Sequence, residues 1–427
     1  MNKKQVGAWA LFDLANSVYP AVITSVVFQV YYINTVVGNT DSIGDWWWGR
    51  AVSLSALIVA VSSPLLGAIA DRAGMRKRFM AFFVAMCLTG VALFTTLGPG
   101  AVAWGFTVFV FANVGYEACL VFYNAYLPDI APSDKQGWVS GLGFGVGYAG
   151  SAVGLLLAIP LIETNIDLVW IMVAVFFIIF SIPSFLFLPQ DQASDMSVGR
   201  AARWGVTNFR EILGEVLQEK DLRRFLLAFF FYIDGVLTAI YMSSTVASTT
   251  FGYTQDELVY LFRALQISAL FGAFALAKPT DLLGPKKILS GVLVMWTLVA
   301  VSIGFIPPTP TGLVVLEQVG LLALPIWTTP SKLWFGALAM VAGFGLGSVQ
   351  AASRAFMAAL IPKGKEAEMF GFYALCGKSS SVVGPLVFGY IAVASGGNQR
   401  LAVMAISVLF IVGLGLLRRV NDPRAAT

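Results

Sequence analysis

The chain has 427 residues, of which 58% are hydrophobic and only 12% charged, with a net charge of +4 and no histidine. A soluble globular chain carries roughly twice that share of charge, so a soluble enzyme is nearly ruled out, and the missing imidazole excludes histidine-ligated metals, histidine proton relays and histidine triads. The small, dispersed positive charge gives no footprint for a nucleic acid, and Cys87, Cys119 and Cys376, each alone in an apolar run, form neither a disulfide framework nor a metal site.

About 20 apolar residues cross the ~30 Å hydrocarbon core. Runs of that kind predict twelve membrane helices, at 7–37, 46–70, 79–97, 101–127, 138–162, 167–188, 224–250, 257–277, 287–306, 332–360, 367–394 and 399–417. The first run follows Met1, Asn2, Lys3 and Lys4, but it contains Asp13 and is too long for a signal peptide, so it reads as a retained span. The expected organisation is a six-helix bundle over 1–189, a cytoplasmic loop over 190–223 and a second six-helix bundle over 224–427. In that loop Phe209, Ile212, Leu213, Val216 and Leu217 recur at helical spacing. They predict an amphipathic helix, either lying in the membrane interface or docked on the bundle. Residues 312–327 are apolar but too short for a span, and read as an extracellular re-entrant or interfacial segment. Alternate loops, counted from the N-terminus and including the C-terminal tail, hold 21 of the 27 Lys and Arg residues. The excess of basic residues predicts that both termini and the central loop are cytoplasmic, in a cell whose inner membrane holds the protein.

The two groups of six repeat each other. Asp71, Gly74, Arg76 and Lys77, between spans two and three, match Asp281, Gly284, Lys286 and Lys287 between spans eight and nine. Gly147, Gly150, Ser151 and Gly154 of span five match Gly377, Ser380, Ser381 and Gly384 of span eleven, and Asp13 of span one matches Asp234 of span seven. In the loop motif, glycines allow close helix approach and a sharp turn. The aspartate accepts from a helix N-terminus or an arginine, and the basic run suits an anionic leaflet.

On Gly67, Asp71, Arg72, Gly74, Arg76 and Lys77 the chain resembles the major facilitator superfamily; its second copy has Leu282 where the first has arginine. A narrower resemblance is to the family of autophagy-related vacuolar effluxers and their bacterial relatives. It rests on Asp13-Leu14-Ala15-Asn16-Ser17, on the run from Phe122 to Pro128, on Tyr232-x-Asp234-Gly235, and on the run from Ile361 to Gly371 followed by Gly377-Lys378 and Gly384-Pro385. The resemblance implies an all-α fold of twelve transmembrane helices in two pseudo-symmetric six-helix bundles. It implies a monomeric secondary transporter that works by rocker-switch alternating access, with spans one, four, seven and ten lining a central cavity. Amino-acid efflux belongs to the eukaryotic members and does not transfer to the bacterial branch.

Ionisable groups inside a span are costly and mark functional positions. Five stand out: Asp13, Glu117, Asp234, Arg354 and Lys378. Glu117 and Lys378 lie about ten residues in, near the midplane at ~1.5 Å per residue. Together they could bracket a zwitterionic substrate, or form an ion pair that locks one conformation. Arg354 could clamp an anionic group, or pair with Asp234 in its own half or Asp13 in the other; a pair between halves would be a gate. Asp13 and Asp234 are the candidate proton carriers, or else make helix-to-helix hydrogen bonds. Asn16, Tyr116, Asn124 and Gln350 add neutral polar groups to the same lining.

The glycine runs over 141–147 and 343–347 sit inside spans, with no strand before them and no P-loop lysine after them. They read as helix packing and not as nucleotide loops, and no cofactor or metal is expected. The expected partners are a small-molecule substrate, the lipid bilayer and protons, with amino acids or related small polar solutes as the first choice of cargo. The alternatives are a broad exporter of lipophilic compounds and a receptor or scaffold that no longer transports. No nucleophile paired with a base supports a membrane enzyme.

Overall fold

A computed structural model of the chain describes residues 1–191, 194, 196–306, 330–380 and 383–423. The segment 312–327 lies outside the described residues. Among the described residues, twelve helical stretches are long and apolar enough to cross a membrane: Lys3–Val37, Thr40–Ala73, Arg76–Thr96, Val102–Ile130, Ser133–Thr164, Ile166–Phe187, Lys220–Thr250, Gln255–Leu283, Pro285–Gly304, Ser331–Leu360, Glu366–Ala394 and Gln399–Arg418. They are called spans one to twelve below.

Local chemistry sets their ends. The Asn2 side chain accepts from the Lys4 amide at the start of span one, and Thr254 and Glu257 form a reciprocal capping box at the start of span eight. Gly74 ends span two in a left-handed conformation, φ +60°, which costs glycine nothing. Spans one and seven each end in π-helical turns, Tyr32–Val37 and Val246–Thr250, and span one carries another at Pro20–Thr24, where proline breaks the ladder.

The repeat governs packing. Span one lies on span five, where Gly150 and Gly154 leave no room for a Cβ against Leu14 and Val18, and the Ser151 hydroxyl donates to the Ser17 carbonyl at 3.0 Å. The equivalent seam joins span seven to span eleven, with Gly384 against Thr238 and Asp234. Small residues here let backbones approach closely.

Residues near both ends of the described chain lie at one face, termed the terminal face. The Ser184 hydroxyl near the end of span six donates to the Ala8 carbonyl in span one, and Asn421 of the tail donates to Asp221 at the start of span seven. The halves meet there. Gly67 of span two abuts Ala367 and Glu368, Gly371 abuts Ser63 and Pro64, and Gly141 of span five abuts Ala277 of span eight. At the opposite face, among the described residues, each recorded hydrogen bond of the loops stays within one half: Asn39 to Asp45, Tyr31 to Leu97, Thr249 to Gln399, Arg400 to Ile306. The molecule is closed at the terminal face.

Between spans six and seven the chain forms two helices, Val198–Thr207 and Phe209–Gln218. The second covers the predicted amphipathic segment and docks on the bundle through buried Ile212 and Val216. The first was not expected from the sequence. Its inner face is built from Ala201 and Gly205, too small to stand out as a hydrophobic stripe, and it packs on Leu65 and Ile69 of span two.

Candidate functional site

Among the described residues, two ion pairs cross between the halves well within the spans. The shallower one joins Asp13 of span one to Arg354 of span ten. Arg354 Nη2 donates to Asp13 Oδ2 at 2.9 Å and to the Ser140 carbonyl at 2.9 Å. Its Nε donates to Ser140 Oγ at 2.9 Å and its Nη1 to Asn124 Oδ1 at 3.3 Å. The guanidinium is sandwiched between Trp9 and Phe144, 4.4 and 4.1 Å from the ring centres. Gly143 makes the approach possible, since a Cβ there would collide with Asp13, Arg354 and Trp9. Asn16 Nδ2 donates to the other Asp13 oxygen at 3.4 Å. A buried charge that is paired and hydrogen-bonded on every side is the arrangement a dry interior tolerates. Of the two partners open to Arg354, the structure uses the one in the opposite half.

Asp234 is occupied elsewhere. Its carboxylate accepts from the Gly384 amide at 2.8 Å and from the Thr238 hydroxyl at 3.4 Å. It therefore ties span seven to span eleven within its own half, with no side-chain cation among its recorded partners.

The deeper pair joins Glu117 of span four to Lys378 of span eleven, Nζ to Oε1 at 2.5 Å. Unlike Asp13 and Arg354, these side chains remain partly open, 16% and 33% exposed. Tyr116 neighbours Glu117 and stacks on Tyr19 at 4.5 Å, and the Tyr19 hydroxyl is buried without a hydrogen-bond partner. Gln350 accepts from the Tyr148 hydroxyl at 2.9 Å, a further link between halves.

Beneath both pairs lies the loop motif. Asp71 accepts from the Glu368 amide in the first turn of span eleven, at 2.8 Å, and Asp281 accepts from the Gly137 and Trp138 amides in the first turn of span five, at 2.7 and 2.9 Å. Each aspartate thus caps a helix start in the other half, where the exposed amides and the helix dipole favour an anion. Arg76 lies 2.8 Å from Asp129, 3.4 Å from Asp191, 3.5 Å from Glu366 and 3.9 Å from Asp71. Arg72 lies over the Trp204 ring at 3.3 Å. Lys77 donates to the carbonyls of Phe185 and Leu188 at the end of span six. In the second copy Lys286, not Lys287, plays that part, donating to the carbonyls of Arg418 and Val420 at the end of span twelve. Lys287 is exposed, and Gly284 turns the chain at φ +88°.

Sequence reasoning missed Ser140, Trp9 and Phe144 around Arg354, and Asp129, Asp191 and Glu366 around Arg76. Ser140 sits in a glycine run that reads only as packing, and the three acids lie at helix ends where charge is ordinary. Their signal exists only once the loops are brought together.

A fold of twelve spans in two related halves, with a charged core between them, defines a multi-pass membrane transporter of the major facilitator type. The human organic anion transporter MFSD10 (TETRAN) has the same architecture, with a TM-score of 0.72 and 15% identity over 98% of this chain and all of that one. The profile described as "Vacuole effluxer Atg22 like" matches residues 50–138 and 131–427, and the chain belongs to that family. Among its relatives, the uncharacterized MFS-type transporter YxiO of Bacillus subtilis (strain 168) is 29% identical over 98% of this chain and 95% of its own length. Autophagy-related protein 22 of Coccidioides immitis (strain RS) is 24% identical over 85% of this chain and 69% of its own length.

Proposed function

We propose that the protein moves a small zwitterionic solute, an amino acid or a close relative, by alternating closure of the terminal and opposite faces. The observation that carries this reading is the Glu117–Lys378 pair. It is partly open, it bridges the halves, and it presents one carboxylate and one ammonium. A solute with an ammonium and a carboxylate can enter by exchanging partners, without leaving either side chain unpaired. The excess of basic residues in its loops supports a cytoplasmic terminal face in a bacterial-type inner membrane; on that reading the closed terminal face is the outward-facing state. Asp13 is the coupling carboxylate in this scheme. A proton on it would weaken its hold on Arg354 and release the gate, while Asp234, held by span eleven, serves as its counterpart in the second half. The proposed organisation is two bundles, 1–189 and 224–427, joined by the segment 190–223, in a working monomer.

The test is thermal unfolding of the purified protein against amino acids, dipeptides, sugars and lipophilic cations. A ligand of the native state raises the midpoint with the logarithm of its concentration over Kd. The expected result is a shift with zwitterions that Glu117→Gln removes. A shift with lipophilic cations alone would replace this reading with that of a broad exporter.

A further inference from the structure

We propose that the central site is charge-compensated both with and without cargo, so that the carrier reorients unloaded and carries out net transport instead of obligatory exchange. This rests on the reading that Glu117 and Lys378 receive the solute.

The two ion pairs in the membrane interior share one polarity. The first half supplies the acids, Asp13 and Glu117, and the second half supplies the bases, Arg354 and Lys378. Each pair sums to zero. A solute bearing one ammonium and one carboxylate also sums to zero, and the polarity orients it, ammonium toward span four and carboxylate toward span eleven. A solute with a single charge leaves one charge uncompensated at the centre, which a low-dielectric interior penalises heavily.

The same bookkeeping governs the return step. A site built on cations alone must carry an anion on every crossing, because its bare charges cannot pass through an occluded, water-poor state. Here the ammonium of Lys378 reaches the carboxylate of Glu117 directly, at 2.5 Å. Whenever no solute separates them, each is the other's counterion. The pair sits near the middle of spans four and eleven, away from both faces, where the contact can persist while the two faces exchange.

The experiment uses the full chain in nanodiscs with no solute present. Donor and acceptor dyes are attached through encoded azide residues in the opposite-face loops 98–101 and 395–398, one on each half, and switching between two energy-transfer levels is timed in single molecules. The unaltered protein is expected to switch. Glu117→Gln and Lys378→Met should each slow switching at least about tenfold, since each strands one charge of a half-buried pair without the counterion it has here. The double variant, which strands none, should recover to within about threefold of the parent. Recovery in the double variant also shows that neither substitution prevents folding. If it does not fold, the charge-swapped Glu117→Lys/Lys378→Glu protein takes its place. A protein that stays at one level, single variants as fast as the parent, or a double variant as slow as the singles each overturns the proposal. These readouts need no ligand. If zwitterions give no thermal shift but the double variant recovers here, the cargo assignment falls and charge compensation stands.

Discussion

Arg354 shows what one residue contributes to closure. Its fork reaches Asp13, Asn124 and Ser140 in the other half, and its flat faces meet two aromatic rings. Lysine offers neither the planar fork nor the stacking face, so Arg354→Lys should behave as a loss. Removing its counterion is worse: Asp13→Ala leaves a buried cation and should cost ~3–5 kcal/mol, read as a lower melting temperature of the purified protein. An Asp13→Ala variant as stable as the parent would mean that the pair does not hold the halves together. Glycine gives a sharper contrast. Gly67 has backbone of the other half where a Cβ would go, whereas Gly7 has nothing within 4 Å. Gly67→Ala should therefore open the terminal face to water-soluble thiol reagents at cysteines placed there, with overpacking costs of ~1–3 kcal/mol, and Gly7→Ala should leave labelling unchanged. At this scale the sequence marks which residues carry charge but not which partner each takes. Asp13 and Asp234 look equivalent in the repeat, but the Asp234 carboxylate is taken up by the Gly384 amide and the Thr238 hydroxyl.

At the scale of elements, the linker is part of the closed face. Val198–Thr207 rides on the first half, through Ala201 on Ile69 and Trp204 under Arg72. Phe209–Gln218 reaches the second half, where Glu215 pairs with Lys365 at 2.6 Å. A single residue, Asn208, separates the two helices, so drawing the halves apart at this face must strain one attachment or the other. Trp204→Ala removes a cation–π contact worth ~0.5–2 kcal/mol and should raise protease cleavage between the linker helices. Unchanged cleavage would show that the first helix is held by its apolar contacts alone. The twelve spans were legible because twenty apolar residues leave a long signal. The first linker helix was not, because small residues buried against a neighbour carry little hydrophobicity of their own.

The whole molecule is a pair of related bundles joined at the terminal face and, farther in, by two ion pairs and the Tyr148–Gln350 hydrogen bond. Its orientation is testable without a substrate. A membrane-impermeant reagent applied to intact cells should label a cysteine at Asn39 and spare one at Lys135; the reverse pattern would invert the membrane assignment. The doubled loop motif was visible as a repeat, and so was the capacity of its aspartates to meet helix starts. Which starts they meet was not visible, because the pairing of span two with eleven and of eight with five is a matter of how the two halves pack, not of local sequence.

The two copies of that motif are built differently. Around Asp71, Arg76 gathers acids from both halves, including Glu366 across the seam. Around Asp281 the arginine position of the motif is Leu282, exposed at the surface, and Lys286 turns away to fasten the tail. A door with one bolt and one catch does not open evenly. The edge between spans five and eight should part first and admit water from the terminal face while the edge between spans two and eleven still holds. The first opening would then be a lateral crack on one flank, and the route by which cargo meets the inner side would have a preferred side.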